Sequence, residues 1–227
     1  MDKGKNYIVL QCYGNEAIFH ECTYALLSLS RIYKAADLSN TEIWLYTDKP
    51  QWFSGFRDCP LPLHFRQLDT NTLQQWRGKI DFVHRVKIEA LRDFVQNRSG
   101  NVIYLDTDVV CTHSLDTMWE QIANGGLYMH VMEGIVSDNG NAVMAKLNKY
   151  LQSSHENDLN GTPLNSMAMW NAGVLGFNTQ YKSLIEEVLV FTDRVYPKFP
   201  KHIIEQFSFS VYFQSRGNIK AASPYIM

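Results

Sequence analysis

A short apolar segment that ends in two aspartates constrains this chain more than any other feature. Residues 102–105 are apolar or aromatic, and Asp106 and Asp108 follow directly, near the middle of the 227 residues. The apolar residues predict a buried strand. Two carboxylates side by side at its end repel one another unless a cation or a set of hydrogen-bond donors lies between them.

The spacing of the two aspartates places them on one face of the chain. Alternate residues of an extended segment project to the same side, about 7 Å apart. Asp106 and Asp108 can therefore reach one divalent cation, or a cation and a ribose hydroxyl. Carboxylate oxygens favour Mg²⁺ or Mn²⁺, which often complete their shells with phosphate and water. The pair predicts a metal and diphosphate site; carboxylates that only cap a turn are the alternative.

Segments typical of strands and of helices alternate along the chain. The pattern predicts strands at 7–12, 42–47, 63–68, 102–105, 127–132, 174–177 and 218–222. It predicts helices at 17–33, 84–96, 117–123, 142–151, 180–195 and 203–214, with a helical turn at 72–76. This alternation predicts an α/β sandwich with a mixed, mostly parallel sheet. Ligands bind at the carboxyl ends of strands in such sheets, where Asp48, Asp106 and Asp108 fall.

Composition narrows the choice of partners and location. The net charge of -2 and the pI near 6.4 give no electrostatic reason to expect nucleic acid. No apolar run reaches the roughly 18 residues of a membrane span, and the polar first residues do not resemble a signal peptide. The cysteines form no C-x-x-C pair and predict free thiols in a reducing compartment, with the cytoplasm as the expected location. We expect one domain over residues 1–227.

Three further groups of polar residues could serve the same site. Asn171 and Gly173 directly precede a predicted strand, and glycine allows the backbone to approach a ligand closely. Lys87 lies on the helix before the acidic pair, where a cation could meet a diphosphate. Glu205 and Gln206 open a later helix. Each group also has an ordinary structural explanation: a loop-to-strand turn, a solvated helix face, or an acidic first turn that favours the helix dipole.

Absent motifs exclude several enzyme classes, and one alternative class survives. The chain has no H-E-x-x-H, G-x-S-x-G, Walker or G-x-G-x-x-G sequence. It also lacks the G-G-x-G-x-R loop of a sugar-nucleotide pyrophosphorylase. Residues 106–110 do match the first five positions of the D-x-D-x-[TV]-[LV] pattern of haloacid-dehalogenase-like phosphatases, in which the first aspartate is a nucleophile. That motif normally follows the first strand, whereas two or three predicted strands precede it here.

Taken together, these motifs resemble the GT-A fold glycosyltransferases, and most closely the glycogenin-like and galactosyltransferase-like enzymes of family eight. Residues 104–108 (YLDTD) resemble their D-x-D motif at the end of a strand. Residues 170–178 (WNAGVLGFN) are similar to their N-x-G-hydrophobic strand, and Glu205 with Gln206 to their later D/E-Q pair. The order and approximate spacing agree over about residues 7–220.

The resemblance implies a GT-A α/β/α sandwich and a metal-dependent hexosyltransferase that retains anomeric configuration. Its donor would be a nucleotide sugar, a UDP-sugar, and its acceptor a glycan or another hydroxyl compound. Asp108 would bind Mn²⁺ or Mg²⁺ directly, Asp106 would be shared between the metal and the ribose of the donor, and Lys87 would face the donor.

The resemblance also implies roles for residues around the cleft. Glu205 and Gln206 would line the sugar side, and Asn171 and Gly173 would approach the transferred sugar or the acceptor. The residues expected near the nucleobase are Gln11, Tyr13, Gly14 and Asp48. The polar loop at 153–163 is expected to act as a lid or acceptor loop.

One feature of the family is not found. These enzymes usually supply a further histidine ligand close to the C-terminus, and the chain ends at Met227, about where that histidine is expected. The sequence therefore leaves three readings: a missing C-terminal segment, another ligand such as His202, or an impaired site. The last of these makes a catalytically inactive nucleotide-sugar-binding domain a second alternative.

Overall fold

The computed structural model describes residues 4–34, 38–56, 59, 61–138, 140–154 and 159–227. Within these ranges, seven strands form a sheet in the order β3-β2-β1-β4-β8-β5-β9, and β6 pairs with β7 in a second sheet. The strands are β1 (Lys5–Cys12), β2 (Thr41–Thr47), β3 (Leu63–Gln67), β4 (Gly100–Leu105), β5 (Leu127–Met129), β6 (Met132–Ile135), β7 (Ala168–Trp170), β8 (Val174–Asn178) and β9 (Ile219–Ala221).

Helices cover both faces of the main sheet. They are α1 (Glu16–Ile32), α2 (Thr70–Arg77), α3 (Arg85–Gln96), α4 (Asp116–Ala123), α5 (Ala142–Ser153), α6 (Lys182–Val195) and α7 (Ile204–Gln214), with 3₁₀ turns at Pro50–Phe56 and Thr179–Tyr181. Side chains of α1 and α4 share one buried cluster with the sheet, and those of α3, α6 and α7 share another on the opposite face. None of the helices in the described ranges is long and apolar enough to cross a membrane.

The central position of strand β4 in the sheet explains why its sequence is apolar. All six of its residues are buried, because β1 and β8 flank it and helices cover both of its faces. Ile103 and Leu105 pack into one cluster, whereas Val102 and Tyr104 pack into the other. A strand that is buried on both faces needs an uninterrupted apolar run rather than an alternating one.

The direction of β8 decides where the site residues meet. Strands β3, β2, β1 and β4 are parallel, and β9 is parallel to β5, but β8 runs antiparallel to both β4 and β5. In the β4–β8 register Leu105 lies opposite Val174. The end of β4 therefore lies beside the start of β8, and the backbone N–H of Asp106 donates to the carbonyl of Gly173 at 2.8 Å.

The predicted fold class is confirmed, and a few predicted elements need correction. The strand predicted at 127–132 is two strands, because the chain leaves the main sheet after Met129 and β6 begins a separate hairpin with β7. Strand β7 is too short to produce a periodic signal, and the sequence pattern did not predict it. The predicted loop at 153–163 begins as the end of α5, and its residues 155–158 lie outside the described residues.

Candidate active site

Asp106 accepts a hydrogen bond on each carboxylate oxygen. The hydroxyl of Tyr104 donates to Oδ1 at 2.8 Å, and Nζ of Lys87 donates to Oδ2 at 3.0 Å. The side chain is about one-third exposed, at 31%. Strand β4 and helix α3 each supply one donor, and together they hold Asp106 in position.

Lys87 is buried rather than solvated, so the ordinary structural explanation for it is wrong. It is 4% exposed, and its Nζ also donates to the carbonyl of Ala172 at 3.1 Å and lies 3.3 Å from Oε1 of Glu205. Burial lowers the pKa of this lysine, but the nearby carboxylates of Asp106 and Glu205 more than offset that and raise the pKa to about 12. The ammonium group is therefore charged at neutral pH.

A second buried ion-pair network holds the helix that carries Lys87. Arg85, two residues earlier on α3, donates to both carboxylate oxygens of Asp193 on α6, at 2.7 and 3.0 Å. It also donates to Glu89 on its own helix and to the carbonyl of Trp76 on α2, each at 2.7 Å. These bonds join α2, α3 and α6 at the first turn of α3.

Glu205 is 4% exposed in the first turn of α7. Burial raises the pKa of its carboxyl to about 7; Lys87 opposes this rise, and the negative charge of Asp106 adds to it. Its Oε1 lies within ion-pair distance of Lys87 but makes no hydrogen bond of good geometry to the described residues. A favourable helix dipole alone does not account for a carboxyl buried in this way.

Asp108 contrasts with Asp106. It is exposed, and no hydrogen bond or ion pair joins its side chain to another described residue. Thr107 lies between the two aspartates, and its hydroxyl donates to Glu21 on α1 at 3.2 Å. Asp108 thus offers a carboxylate to solvent at the edge of the site.

Two cavities meet at Lys87 and Asp106. The outer cleft has a volume of about 320 Å³, and its lining includes Gln11, Tyr13, Glu21, Lys87, Asp106 and Asp108. The inner pocket has a volume of about 130 Å³, and its lining includes Lys87, Asp106, Asn171, Gly173, Glu205 and Gln206. The acidic pair, the Asn-Ala-Gly segment and the Glu-Gln pair are therefore brought together, although about a hundred residues separate the first from the last.

Two buried side-chain oxygens near the carboxyl ends of β1 and β2 have no partner among the described residues, and one of them belongs to Gln11, which lines the outer cleft. Oε1 of Gln11 and Oδ1 of Asp48 are buried and accept no hydrogen bond from the described residues. The other oxygen of Asp48 accepts a long bond, 3.4 Å, from the backbone N–H of Gly14. Gly14 has a φ of +95°, a conformation that favours glycine. Beside it, burial raises the pKa of the Tyr13 hydroxyl, so this phenol is a neutral donor.

Gly173 lies where there is little room for a side chain. A Cβ at this position would be 3.0 Å from Oδ1 of Asn171, 3.4 Å from Nδ1 of His130 and 3.6 Å from Oδ2 of Asp106. The Asn171 side chain accepts the N–H of Gly173 at 2.8 Å and so closes the turn that opens β8. Asn171 and Gly173 therefore shape the wall of the inner pocket beside Asp106.

Sequence reasoning missed several residues that surround the site. Tyr104 was read only as an apolar strand residue, although its hydroxyl contacts Asp106. His84, which lines both cavities, has its pKa lowered by burial and by Lys87, so it is mainly neutral. Glu133 contacts two site residues from outside the inner pocket. Nothing in the local sequence pattern of Tyr104, His84 or Glu133 indicates a site. His202, which the sequence offered as a substitute ligand, also lines the inner pocket.

The acidic pair fits a Mg²⁺ or Mn²⁺ ion that is held jointly with a ligand. The described residues contain no group of three His, Cys, Asp or Glu side chains that could hold a metal, so His202 does not complete a protein-only site. The side chain of Asp108 has no partner in the part of the chain that the structure describes, and each oxygen of Asp106 keeps a lone pair beyond its one bond. Such ions are often bound by one or two carboxylates and by phosphate oxygens of a substrate. Asp106 and Asp108 would supply those carboxylates.

Residues 87–192 match the family model for glycosyl transferase family 8. The matched segment is similar to that family and covers slightly less than half of the chain. The match begins at Lys87 and includes both aspartates and the Asn171–Gly173 turn, and it ends before Glu205. It confirms the resemblance to family eight that the motifs predicted and supports the prediction of a transferase. No curated protein sequence matches the chain.

Solved structures of glycosyltransferases share the fold. GlyE of Streptococcus pneumoniae TIGR4 aligns over 96% of this chain and 45% of its own, with 17% identity and a TM-score of 0.57. The galactosyltransferase LgtC aligns over 95% of this chain and 73% of its own, with 14% identity and a TM-score of 0.57. Mouse xyloside xylosyltransferase 1 aligns over 95% of this chain and 84% of its own, with 13% identity and a TM-score of 0.58. The chain thus spans less than half of GlyE, and at these identities the likeness confirms the GT-A fold alone.

Proposed function

We propose that this chain transfers a hexose from a UDP-sugar to a hydroxyl group of a glycan or another acceptor. Mn²⁺ or Mg²⁺ would bind at Asp106 and Asp108, and the anomeric configuration would be retained. One observation carries the proposal: a buried, charged lysine lies where the outer cleft and the inner pocket meet, between Asp106 and Glu205. That junction is where the diphosphate of a donor would join its sugar.

The charges at the junction support a divalent cation. Lys87 lines both cavities, and the carboxylates of Asp106 and Glu205 already face its ammonium group. A diphosphate would also meet the carboxylates of Asp108 and Glu21 in the outer cleft. The negative charges of the diphosphate and of these carboxylates would repel one another. A bound diphosphate therefore needs positive charge in addition to that of Lys87. The metal, when bound, acts as a Lewis acid that stabilises charge on the diphosphate oxygens.

The outer cleft suits a nucleoside. Buried oxygens without partners are costly to leave unpaired, and those of Gln11 and Asp48 would be satisfied by N–H and O–H groups of a ligand. A uracil ring offers one N–H donor, and a ribose offers two hydroxyls. The neutral phenol of Tyr13 offers a flat surface and a donor beside them.

The inner pocket suits a sugar. Its lining combines the amides of Asn171 and Gln206 with the carboxyl of Glu205, which are groups that pair with hydroxyls. In the transfer, the bond from the anomeric carbon to the leaving phosphate oxygen breaks, and its electron pair goes to that oxygen. The acceptor hydroxyl oxygen bonds to the anomeric carbon on the same face, and its proton passes to the leaving phosphate. Lys87 stabilises the charge that develops there.

Replacement of Asp108 is the direct test. We expect Asp108→Asn to lower the release of UDP from UDP-glucose, UDP-galactose or their N-acetyl forms about 100-fold or more with Mn²⁺ present, because one metal ligand loses its charge. Stability should change by less than about 0.5 kcal/mol, since the side chain is exposed. Asp116→Asn, at an exposed aspartate outside both cavities, is the matched control and should keep full activity.

The same assay separates the alternatives. Binding of UDP by calorimetry, strengthened by Mn²⁺ but without turnover of any donor, would favour an inactive nucleotide-sugar-binding domain. Cleavage of a generic phosphomonoester that Asp106→Asn abolishes would favour the phosphatase. Undiminished transfer by Asp108→Asn would overturn the metal site. The cytoplasmic location and the absence of a nucleic-acid partner stay predictions of the sequence.

A further inference from the structure

Glu133 joins the two amide side chains of the inner pocket. One of its oxygens, Oε1, accepts a hydrogen bond from Nδ2 of Asn171 at 3.1 Å, and the other, Oε2, accepts one from Nε2 of Gln206 at 2.7 Å. Asn171 follows β7 and Gln206 lies in the first turns of α7, so a single carboxylate connects two separate elements of the pocket wall.

The backbone aims Glu133 at these amides. In the β6–β7 pairing Met132 lies opposite Trp170 and Gly134 lies opposite Met169, so the register shifts and Glu133 is the extra residue of a bulge. A β-bulge turns a side chain away from the regular alternation of the strand and is frequent next to active sites. Gly134 has a φ of +121°, which a glycine adopts without strain.

A carboxylate partner fixes which way an amide faces. An ionised carboxylate only accepts hydrogen bonds, so each amide must present its NH₂ group to Glu133. The carbonyl oxygen of each amide is then directed away from Glu133. Oδ1 of Asn171 is already used by the N–H of Gly173. Oε1 of Gln206 accepts no hydrogen bond from the described residues and is left for a donor in the inner pocket.

We propose that Glu133 is a positioning residue that orients Gln206 and Asn171, so that Gln206 offers a carbonyl oxygen to a hydroxyl of the bound sugar. The role of this oxygen rests on the proposed function, whereas the contact between the carboxylate and the two amides does not. Glu133 itself is exposed and does not line either cavity. Its effect on a sugar would pass through the two amides.

The orientation can be measured without any activity. The side-chain NH₂ signals of Asn171 and Gln206 in a ¹⁵N-correlated NMR spectrum, assigned with Asn171→Ala and Gln206→Ala, report their acceptor. In Glu133→Gln we expect both signals to move, because a neutral amide replaces the carboxylate. Glu120→Gln, at an exposed glutamate of α4 outside both cavities, should leave them in place. Unmoved signals in Glu133→Gln would overturn the orienting role.

A pair of substitutions tests the role in turnover. Glu133→Gln and Gln206→Glu should each lower kcat for UDP release from the best donor about tenfold or more, because misplacement of a positioning group is costly. The double variant keeps an acceptor for Asn171 at residue 133 and re-forms a donor–acceptor pair between residues 133 and 206. It should recover a large part of the loss, which additive defects would not do. Binding of UDP alone should be unchanged in all three.

The outcomes distinguish the two proposals. If the wild-type chain releases no UDP from any donor but the NH₂ signals respond to Glu133→Gln, the proposed function fails and the orientation by Glu133 stands. If the wild-type chain is active and the double variant is no better than the single variants, the positioning role is overturned while the proposed function stands.

Discussion

The two cavities that meet at Asp106 are built in opposite ways. The polar groups of the inner pocket are joined by the protein's own contacts: Lys87 donates to Asp106 and faces Glu205, and both amides donate to Glu133. The outer cleft is open, with an exposed Asp108 and a buried oxygen of Gln11 that has no partner among the described residues. If the proposed function holds, the sugar side is preorganised by contacts within the protein, whereas the nucleotide side is completed by its ligand.

Removal of the buried lysine should have the largest effect on stability. Lys87→Met leaves Asp106 and Glu205 without the cation between them, and breaking a buried ion pair from one side typically costs about 3–5 kcal/mol. We expect a loss of that order in urea unfolding, together with loss of UDP release. Lys146→Met, at an exposed lysine of α5, should cost less than about 0.5 kcal/mol. A loss below about 1 kcal/mol at Lys87 would mean that the inner pocket is not held by this charge.

The second-largest effect should be a pH dependence of stability that arises from Glu205 in the inner pocket. The pKa of Glu205 is raised from 4.5 to about 7, so the native state binds its proton more tightly than the unfolded state does. Its stabilising contribution is therefore full below about pH 4.5 and is lost as the pH rises through 7. The loss is up to about 3 kcal/mol. The charged and titratable groups that face it across the pocket are Lys87, Asp106, His84 and His202.

Glu205→Gln isolates that contribution. Glutamine resembles the protonated carboxyl and does not titrate, so the wild-type chain should lose stability relative to the variant between pH 5 and 8. Urea unfolding at each pH gives the difference, in which the contributions of unrelated groups cancel. A constant difference across this range would show that Glu205 keeps an ordinary pKa and that the inner pocket is wetter than the structure indicates.

The hydroxyl of Tyr104 should give the smallest of these effects. Tyr104→Phe removes the donor to Oδ1 of Asp106, and a hydrogen bond to a charged group contributes about 1.5–3 kcal/mol. Partial exposure of Asp106 allows water to replace the phenol, so we expect the lower end of that range in urea unfolding. Tyr128→Phe, in which the lost acceptor is the neutral side chain of Gln121, is the matched control and should cost about 1 kcal/mol. Equal losses would show that the charge on Asp106 adds nothing to the bond.

The sequence predicted the parts of the fold that depend on local pattern. The run at 102–105 predicted a buried central strand, and the turn residues after it placed Asp106 and Asp108 at a strand end. The periodicity also predicted α1, α3, α6 and α7 to within a few residues. It missed the β6–β7 hairpin, because strands of three or four residues are shorter than the window in which a period can be recognised.

The prediction was weakest where a residue's environment is made by distant segments. Lys87 was assigned equally to solvent and to the site, because a helical stripe does not show which side chain lies under another helix. Glu133 gave no signal at all, since its role depends on a bulge and on two amides that lie 38 and 73 residues further along the chain. Contacts of this kind are set by strand order and helix packing, which local periodicity does not encode.

By itself, the sequence determined the α/β class, the acidic pair at the end of a buried strand and the family resemblance, because each rests on neighbouring residues. Only the tertiary structure decided that these motifs form one site. Strand β8 runs antiparallel to β4, which brings Gly173 against Asp106, and α3 and α7 bring Lys87 and Glu205 to the same point. The burial of that point gives the charges their strength, since an ion pair withdrawn from water is screened far less than one on the surface.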